Sequence, residues 1–317
     1  SNFDSCLFSR RHSDGRKEFI VCYVDDCLLV GADDLIAQTH ADMAKVFVLT
    51  GGDPVSQYLG MTVHRDRAKG TLKLSIPNLA AKAVVTARVR DKTTTLCTPM
   101  IAARMSKRTH GITEAAHKKA VDLPYRRFVG QVNYMAVTCR PDLSFAVKEL
   151  GRYNSVYNED CWKLAQRVAT YIKHTIDVGI LYTRDPSMTD FACEAYVDAS
   201  YNDTPEERLS TCGFLITVGG NMVSYASRSQ KSVSRSVGES ETLALAAATA
   251  EVLYFRQFVR ELTDKPEQMS VFGCNKALNV LGITEEIRVA PNDDTPPTVI
   301  NSDSSVALSN ARLPVSW

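Results

Sequence analysis

The chain has 317 residues, 44% of them hydrophobic and 23% charged, which is enough apolar material for globular cores and too much chain for one small domain. Its 37 Lys and Arg against 36 Asp and Glu leave a formal charge of +1, so bulk charge gives no support to a nucleic-acid partner. No apolar run reaches the roughly 18 residues of a membrane span, and the opening SNFDSCLFSRRHSDG lacks the apolar stretch of a secretory signal.

In chain order, Phe19 to Gly31 reads as two short apolar strands on either side of Asp25-Asp26, a tight strand–turn–strand. Leu35, Ile36, His40, Met43 and Phe47 fall at helical spacing, predicting a helix over 34–47. Residues 58–63 and 71–76 read as a second hairpin, with 65–70 as its connection. Helices are expected over 125–138, 142–153 and 162–174, the first two separated at Arg140-Pro141 because the residue before proline avoids the α region. A short strand follows at 179–182. Strands are then expected at 194–200, 211–218 and 222–227, the last two joined by Gly219-Gly220-Asn221. The Ala- and Leu-rich stretch 241–262 predicts a long helix. Residues 264–297 lack periodicity and read as a loop or insertion, before a strand at 298–302 and a helix beginning at Ser304.

The nine cysteines are odd in number and scattered, with no C-x-x-C pair and no histidine at ligand spacing. That argues against a zinc site or a disulfide framework and for a reduced compartment. Local charge is more informative. Between Arg65 and Arg127 there are fifteen Lys and Arg against four acids, whereas 261–303 carries eight acids against three bases. The basic segment could hold a phosphate backbone through counterion release, or be a solvated surface.

Two sets of carboxylates could carry chemistry. Asp25 and Asp26 interrupt an otherwise apolar stretch, where adjacent carboxylates repel and lose hydration. A solvated turn relieves this, and so does a divalent cation, which takes hard oxygen ligands. Asp198 ends a short strand, Glu241 begins the long helix, and Asp303 follows the last strand. Converged, the three could hold metal against a phosphodiester; taken singly, each is an ordinary cap or surface acid. Glu239 competes with Glu241, but the two lie about 200° apart around a helix, so only one can face a common ion.

The motifs around these residues resemble the Pol polyprotein of copia-like LTR retrotransposons. Tyr23-Val24-Asp25-Asp26 is similar to the Tyr-x-Asp-Asp signature of reverse-transcriptase palms. Asp4-Ser5-Cys6-Leu7-Phe8, Gln57-Tyr58-Leu59-Gly60-Met61, Thr98-Pro99-Met100, Tyr125-Arg126 with Arg140-Pro141-Asp142, and Tyr171-Ile172-Lys173 follow in that family's order. From Asp198-Ala199-Ser200 the chain resembles the ribonuclease H domain, through Arg208-Leu209-Ser210-Thr211, Ser227 to Val233, Ser236 to Glu241 and, loosely, Asp303 to Ala307. The match covers about residues 4–262 and 298–311. Glu241 is chosen over Glu239 because Glu241-x-x-Ala244 follows the family register.

The resemblance implies a mixed α+β and α/β architecture. It divides into a partial reverse-transcriptase palm over 1–100, a helical thumb or connection over 101–185, and a ribonuclease H-like mixed sheet over 190–317. It implies metal-dependent phosphoryl transfer on RNA and DNA, with Asp25, Asp26, Asp198, Glu241 and Asp303 holding Mg²⁺ or Mn²⁺. Arg104, Lys107, Arg108, Arg126 and Arg127 would contact phosphates of an RNA–DNA hybrid or template–primer duplex. The remaining polyprotein is the other implied partner. No membrane is implied, and the implied location is intracellular, either cytoplasmic in a virus-like particle or nuclear. A third palm carboxylate, the fingers and a fourth ribonuclease H residue are not found in these 317 residues. The chain is therefore expected to be a truncated or decaying element, inactive as a polymerase by itself. The alternative is a catalytically inactive nucleic-acid-binding remnant.

Overall fold

The computed structural model describes residues 4–90, 94–101, 112–186, 193–203, 208–263, 269–273, 286–289 and 298–301. The described residues form a mixed α and β structure in which antiparallel pairing dominates three sheets.

The first sheet is an antiparallel meander of β1 (Leu7–Arg11), β2 (Lys17–Tyr23) and β3 (Asp26–Val30). Helix α1 (Asp33–Ala44) follows, close to the expected range. Successive strand residues point to opposite faces, which puts Glu18 of β2 toward α1. There its carboxylate is 3% exposed and accepts hydrogen bonds from Thr39 of α1 and from Arg10 of β1. His12 Nε2 lies 2.8 Å from the same carboxylate. Burial works to raise the Glu18 pKa, but the bonds from Thr39, His12 and Arg10 outweigh it and hold the carboxyl below its ordinary range. Lys17 Nζ donates to the carbonyl of Leu262 at 2.8 Å.

The second sheet begins with β4 (Gln57–Tyr58), β5 (Met61–Asp66) and β6 (Thr71–Ser75). The expected single strand over 58–63 is thus two. Leu59 and Gly60 both adopt positive φ (49° and 75°), and Tyr58 pairs with Met61 across this two-residue turn. Helix α2 (Pro77–Thr86) comes next, unforeseen in the pattern. Proline at its first turn suits the helix start, and its buried stripe is only Ala80 and Ala83.

Helices α3 (Glu114–Ala120), α4 (Tyr125–Thr138), a 3₁₀ turn at Pro141–Leu143, α5 (Ser144–Gly151) and α6 (Glu159–His174) build the core. Arg140-Pro141 does break the helical run, as expected from the proline. Phe128, Val132 and Met135 of α4 meet Leu150 of α5 and Val168 and Ile172 of α6 in a continuous apolar cluster that runs from Ile76 to Ile180. The Tyr125 hydroxyl donates to the Leu150 carbonyl at 2.7 Å, and the ring stacks on Tyr157 at 4.7 Å. Arg140 is fully buried but satisfied, bonding Asp142 at 2.7 Å and the Thr175 carbonyl at 2.9 Å. Asn158 caps α6 by accepting from the Cys161 amide.

Strand β7 (Gly179–Thr183) then pairs antiparallel with β6, closing the second sheet. Its first residue has to be small. A Cβ on Gly179 would sit 2.0 Å from the Leu74 carbonyl oxygen.

The third sheet has the order β10-β9-β8-β11-β13-β12. Its strands are β8 (Cys193–Ser200), β9 (Thr211–Val218), β10 (Asn221–Ser229), β11 (Met269–Gly273), β12 (Glu286–Val289) and β13 (Thr298–Asn301). The β9–β10 turn uses Gly219 and Gly220 at positive φ (57° and 69°), as the hairpin signal anticipates. Helix α7 (Val237–Thr263) lays Ala244, Leu245, Ala248 and Val252 on β8 and β9. The reading of 264–297 as structureless is corrected here, since β11 and β12 lie within it. β11 pairs in parallel with both β8 and β13. Parallel strands draw their stability from being covered on both faces, which a search for alternation misses. Lys148 of α5 joins this sheet to the helices: it pairs with Glu149 at 2.7 Å and bonds Thr211 of β9.

Candidate nucleic-acid interface and carboxylate sites

The β2–β3 hairpin turns at Val24-Asp25, with Tyr23 opposite Asp26. Val24 has φ 54°, a left-handed conformation that is strained for a β-branched residue, on the order of 1–3 kcal/mol. The tip is open to solvent: Val24 is 87% exposed, and both Asp25 and Asp26 are exposed. Tyr58 of β4 lies close enough to the hairpin to feel the Asp26 charge. Burial, and secondarily the charge of Asp26, raise the Tyr58 pKa, and its buried hydroxyl has no hydrogen-bond partner.

The same β4–β5 hairpin forms one wall of a groove. Tyr134 of α4 donates to the Leu59 carbonyl at 2.6 Å, fixing the Leu59-Gly60 turn against that helix. Between α2 and α4 runs an open groove of about 720 Å³, lined by Gln57, Gly60, Lys82, Arg127, Gly130 and Tyr134. A second depression of about 530 Å³ shares Lys82 and Arg127 and adds Arg88. Gly130 is the odd residue. A glycine inside a helix costs about 1 kcal/mol relative to alanine, yet a Cβ there would meet nothing within 4 Å. Packing within the chain therefore gives no reason for it, and a bare backbone in a groove between cations leaves room for a ligand to approach closely.

Of the basic residues singled out from sequence, Arg127 lies in this groove. Arg126 faces the loop after α5, donating to the carbonyls of Asn154 at 2.7 Å and Ser155 at 3.3 Å. Arg104, Lys107 and Arg108 lie outside the described residues. Lys82 and Arg88 were not distinguished from the other bases of the segment. The signal for Lys82 is its position on α2, a helix without amphipathic contrast in the sequence.

Asp198 is exposed on β8, opposite Gly213 of β9. Glu241 is 8% exposed in the first turns of α7, the helix that covers these strands. The start of α7 is held by Gln230, which donates to the Ser240 carbonyl at 2.7 Å and accepts from Ser234 at 2.7 Å. Glu239 points elsewhere: its carboxylate accepts from the Arg235 amide at 2.6 Å, while its own amide donates to Ser236. This is capping-box chemistry. Asp303 lies outside the described residues. β11 runs between β8, which carries Asp198, and β13, the strand that precedes Asp303 in the sequence. Among the described residues no group of three His, Cys, Asp or Glu is placed to hold a metal ion. Carboxylate oxygens are the hard ligands that Mg²⁺ takes, and those of Asp25, Asp26 and Asp198 are exposed, whereas Glu241 is buried.

No family model matches the chain. Over 261 residues, 82% of its length, it is 27% identical to the retrovirus-related Pol polyprotein from transposon TNT 1-94 of Nicotiana tabacum, of which it covers 19%. It is 28% identical over 265 residues, 81% of its length, to the Pol polyprotein from transposon RE2 of Arabidopsis thaliana, of which it covers 17%. The chain thus spans less than a fifth of these curated relatives. Among solved structures, a foamy viral protease-reverse transcriptase in complex with double-stranded DNA superposes on 93% of this chain and 44% of its own. Its TM-score of 0.42 and identity of 10% are too low to define a common fold.

Proposed function

Because the chain is homologous over four fifths of its length to retrovirus-related Pol polyproteins of plant retrotransposons, we propose that it is a Pol segment that grips a template–primer or RNA–DNA duplex in the groove between α2 and α4. The duplex is laid along the groove toward Asp25 and Asp26. The observation that carries this reading is the groove itself, walled by Gln57 and Gly60 of the β4–β5 hairpin and lined by Lys82 and Arg127, with Tyr58 of the same hairpin near enough to Asp26 to feel its charge. Lys82 and Arg127 contact phosphates, Arg88 extends the cationic track, and Gly130 lets the backbone come close.

In the reverse-transcriptase reading Asp25 and Asp26 present acceptor oxygens at the tip of a strained turn. The bound Mg²⁺ or Mn²⁺ would supply charge stabilisation to phosphoryl transfer. A ribonuclease H role for the third sheet is a second part of the proposal. It is favoured by the placement of Asp198 on an inner strand and of Glu241 at the start of the helix covering it, and the sequence resemblance alone adds Asp303 as a third ligand.

The test is binding of a fluorescent RNA–DNA hybrid across a salt series. Phosphate-dominated binding makes log K fall linearly with log salt, with a slope that loses about 0.9 for each phosphate contact removed. Lys82→Ala with Arg127→Ala should flatten it by about 2. An unchanged slope would refute the groove as the interface.

A further inference from the structure

The hairpin that carries Asp25 and Asp26 also carries two thiols whose chemistry does not depend on any role of the carboxylates. Cys22 of β2 and Cys27 of β3 are direct cross-strand partners, and their Sγ atoms lie 3.2 Å apart. The Cys22 amide donates to the Cys6 carbonyl at 2.9 Å, so it is turned away from β3. Cys22 and Cys27 are thus a non-hydrogen-bonded pair, the kind whose Cα atoms stand about 4.5 Å apart, within the span a disulfide bridges. Cys27 is exposed and Cys22 partly so, and reagents in solution reach both.

We propose that Cys22 and Cys27 form a dithiol–disulfide modification site, oxidised by a low-molecular-weight disulfide of the oxidised-glutathione class. Cys27, the more exposed, attacks first as its thiolate. A bond forms between its Sγ and one glutathione sulfur, and the other glutathione leaves as a thiolate. Cys22 then attacks Cys27 Sγ and expels the second glutathione. Two electrons pass to the glutathione disulfide, and the two thiol protons end on the two released glutathiones. The order follows from the surroundings, since burial, together with the neighbouring Cys27, pushes the Cys22 thiol up to about 11. The closed ring contains only Tyr23, Val24, Asp25 and Asp26 between its cysteines, so oxidation pins the strained tip in place.

The site is read by incubating the full chain with oxidised glutathione, blocking free thiols with iodoacetamide, and digesting with trypsin. The peptide 18–45 contains these two cysteines and no other. It should be lighter by two hydrogens and take up alkyl groups only after reduction. In Cys22→Ser the glutathione should remain on Cys27 as a mixed disulfide, whereas Cys6→Ser should leave the bond intact. Recovery of both thiols alkylated, of glutathione retained on Cys27 in the unmutated chain, or of a bond from Cys6 to either cysteine would overturn the proposal. None of these readouts involves nucleic acid, so the result is independent of the proposed function.

Discussion

The helical core and the first sheet are built on opposite plans. In the core, α4 buries Phe128, Val132 and Met135 completely, and the fully buried Arg140 is bonded to Asp142 and to the Thr175 carbonyl. In the first sheet the most buried strand residue is a carboxylate, Glu18, while Phe8, Tyr23, Val24 and Val30 are left exposed. The core is held chiefly by apolar area, whose contribution is insensitive to pH, with its ion pairs a smaller part. The sheet is held under α1 by a small polar knot, whose stability depends on a charge. Rigidity and adjustability are thereby separated within one chain: the helices keep the groove in shape, and the carboxylate hairpin sits on the part whose stability can change with conditions.

Four measurements bear on this difference between core and sheet. The largest effect is expected from Phe128→Ala, which should cost about 3–5 kcal/mol in denaturant unfolding because the cavity sits in a closely packed cluster. Next comes Glu18→Gln, which leaves Arg10 without its counter-charge. It should cost about 1–3 kcal/mol, read as lost amide protection over residues 7–30 with residues 125–172 retained. Uniform loss in both regions would show that the two do not differ as described.

Acid should reproduce the second effect. The Glu18 pKa is held down in the folded chain, so its contribution is complete above the ordinary Glu value, about 4.3, and is lost as pH falls through the lower folded value. Protection of the first sheet should therefore fade below about pH 4 before that of the core. Equal fading would assign acid sensitivity to other groups. The smallest effect is expected at α7. Glu239→Gln weakens a cap and should cost about 0.5–1 kcal/mol. If the third sheet cleaves hybrid RNA with Mn²⁺, Glu241→Gln should remove that cleavage, whereas Glu239→Gln should keep most of it.

Elements that announce themselves by turn chemistry or by a wide apolar stripe were legible in the sequence. The Asp25 hairpin, the Gly219-Gly220 turn, α4 and α6 fall where the residues predict them. α2 was not legible because its buried face is alanine, which contributes no amphipathic contrast. β11 and β12 were hidden because neighbouring strands, not their own pattern, define them. For the site, sequence supplied Arg127 and the Asp25-Asp26 tip but could not give the groove. Lys82 and Gly130 acquire meaning only when α2 and α4 stand opposite each other. Glu18 likewise looks like an ordinary surface acid until Arg10, His12 and Thr39 close around it.

The pairing of β6 with β7 has a consequence for synthesis. Residues 71–75 leave the ribosome with one edge lacking its neighbour, and that neighbour, residues 179–183, is made more than a hundred residues later. At ordinary elongation rates this edge stays open for on the order of 5–20 s, long enough for another nascent chain to add to it. Lys73 stands in the middle of the edge, where a charge discourages such pairing. Newly made chains should therefore pass through a window of vulnerability to intermolecular strand addition, which closes when Gly179 meets Leu74.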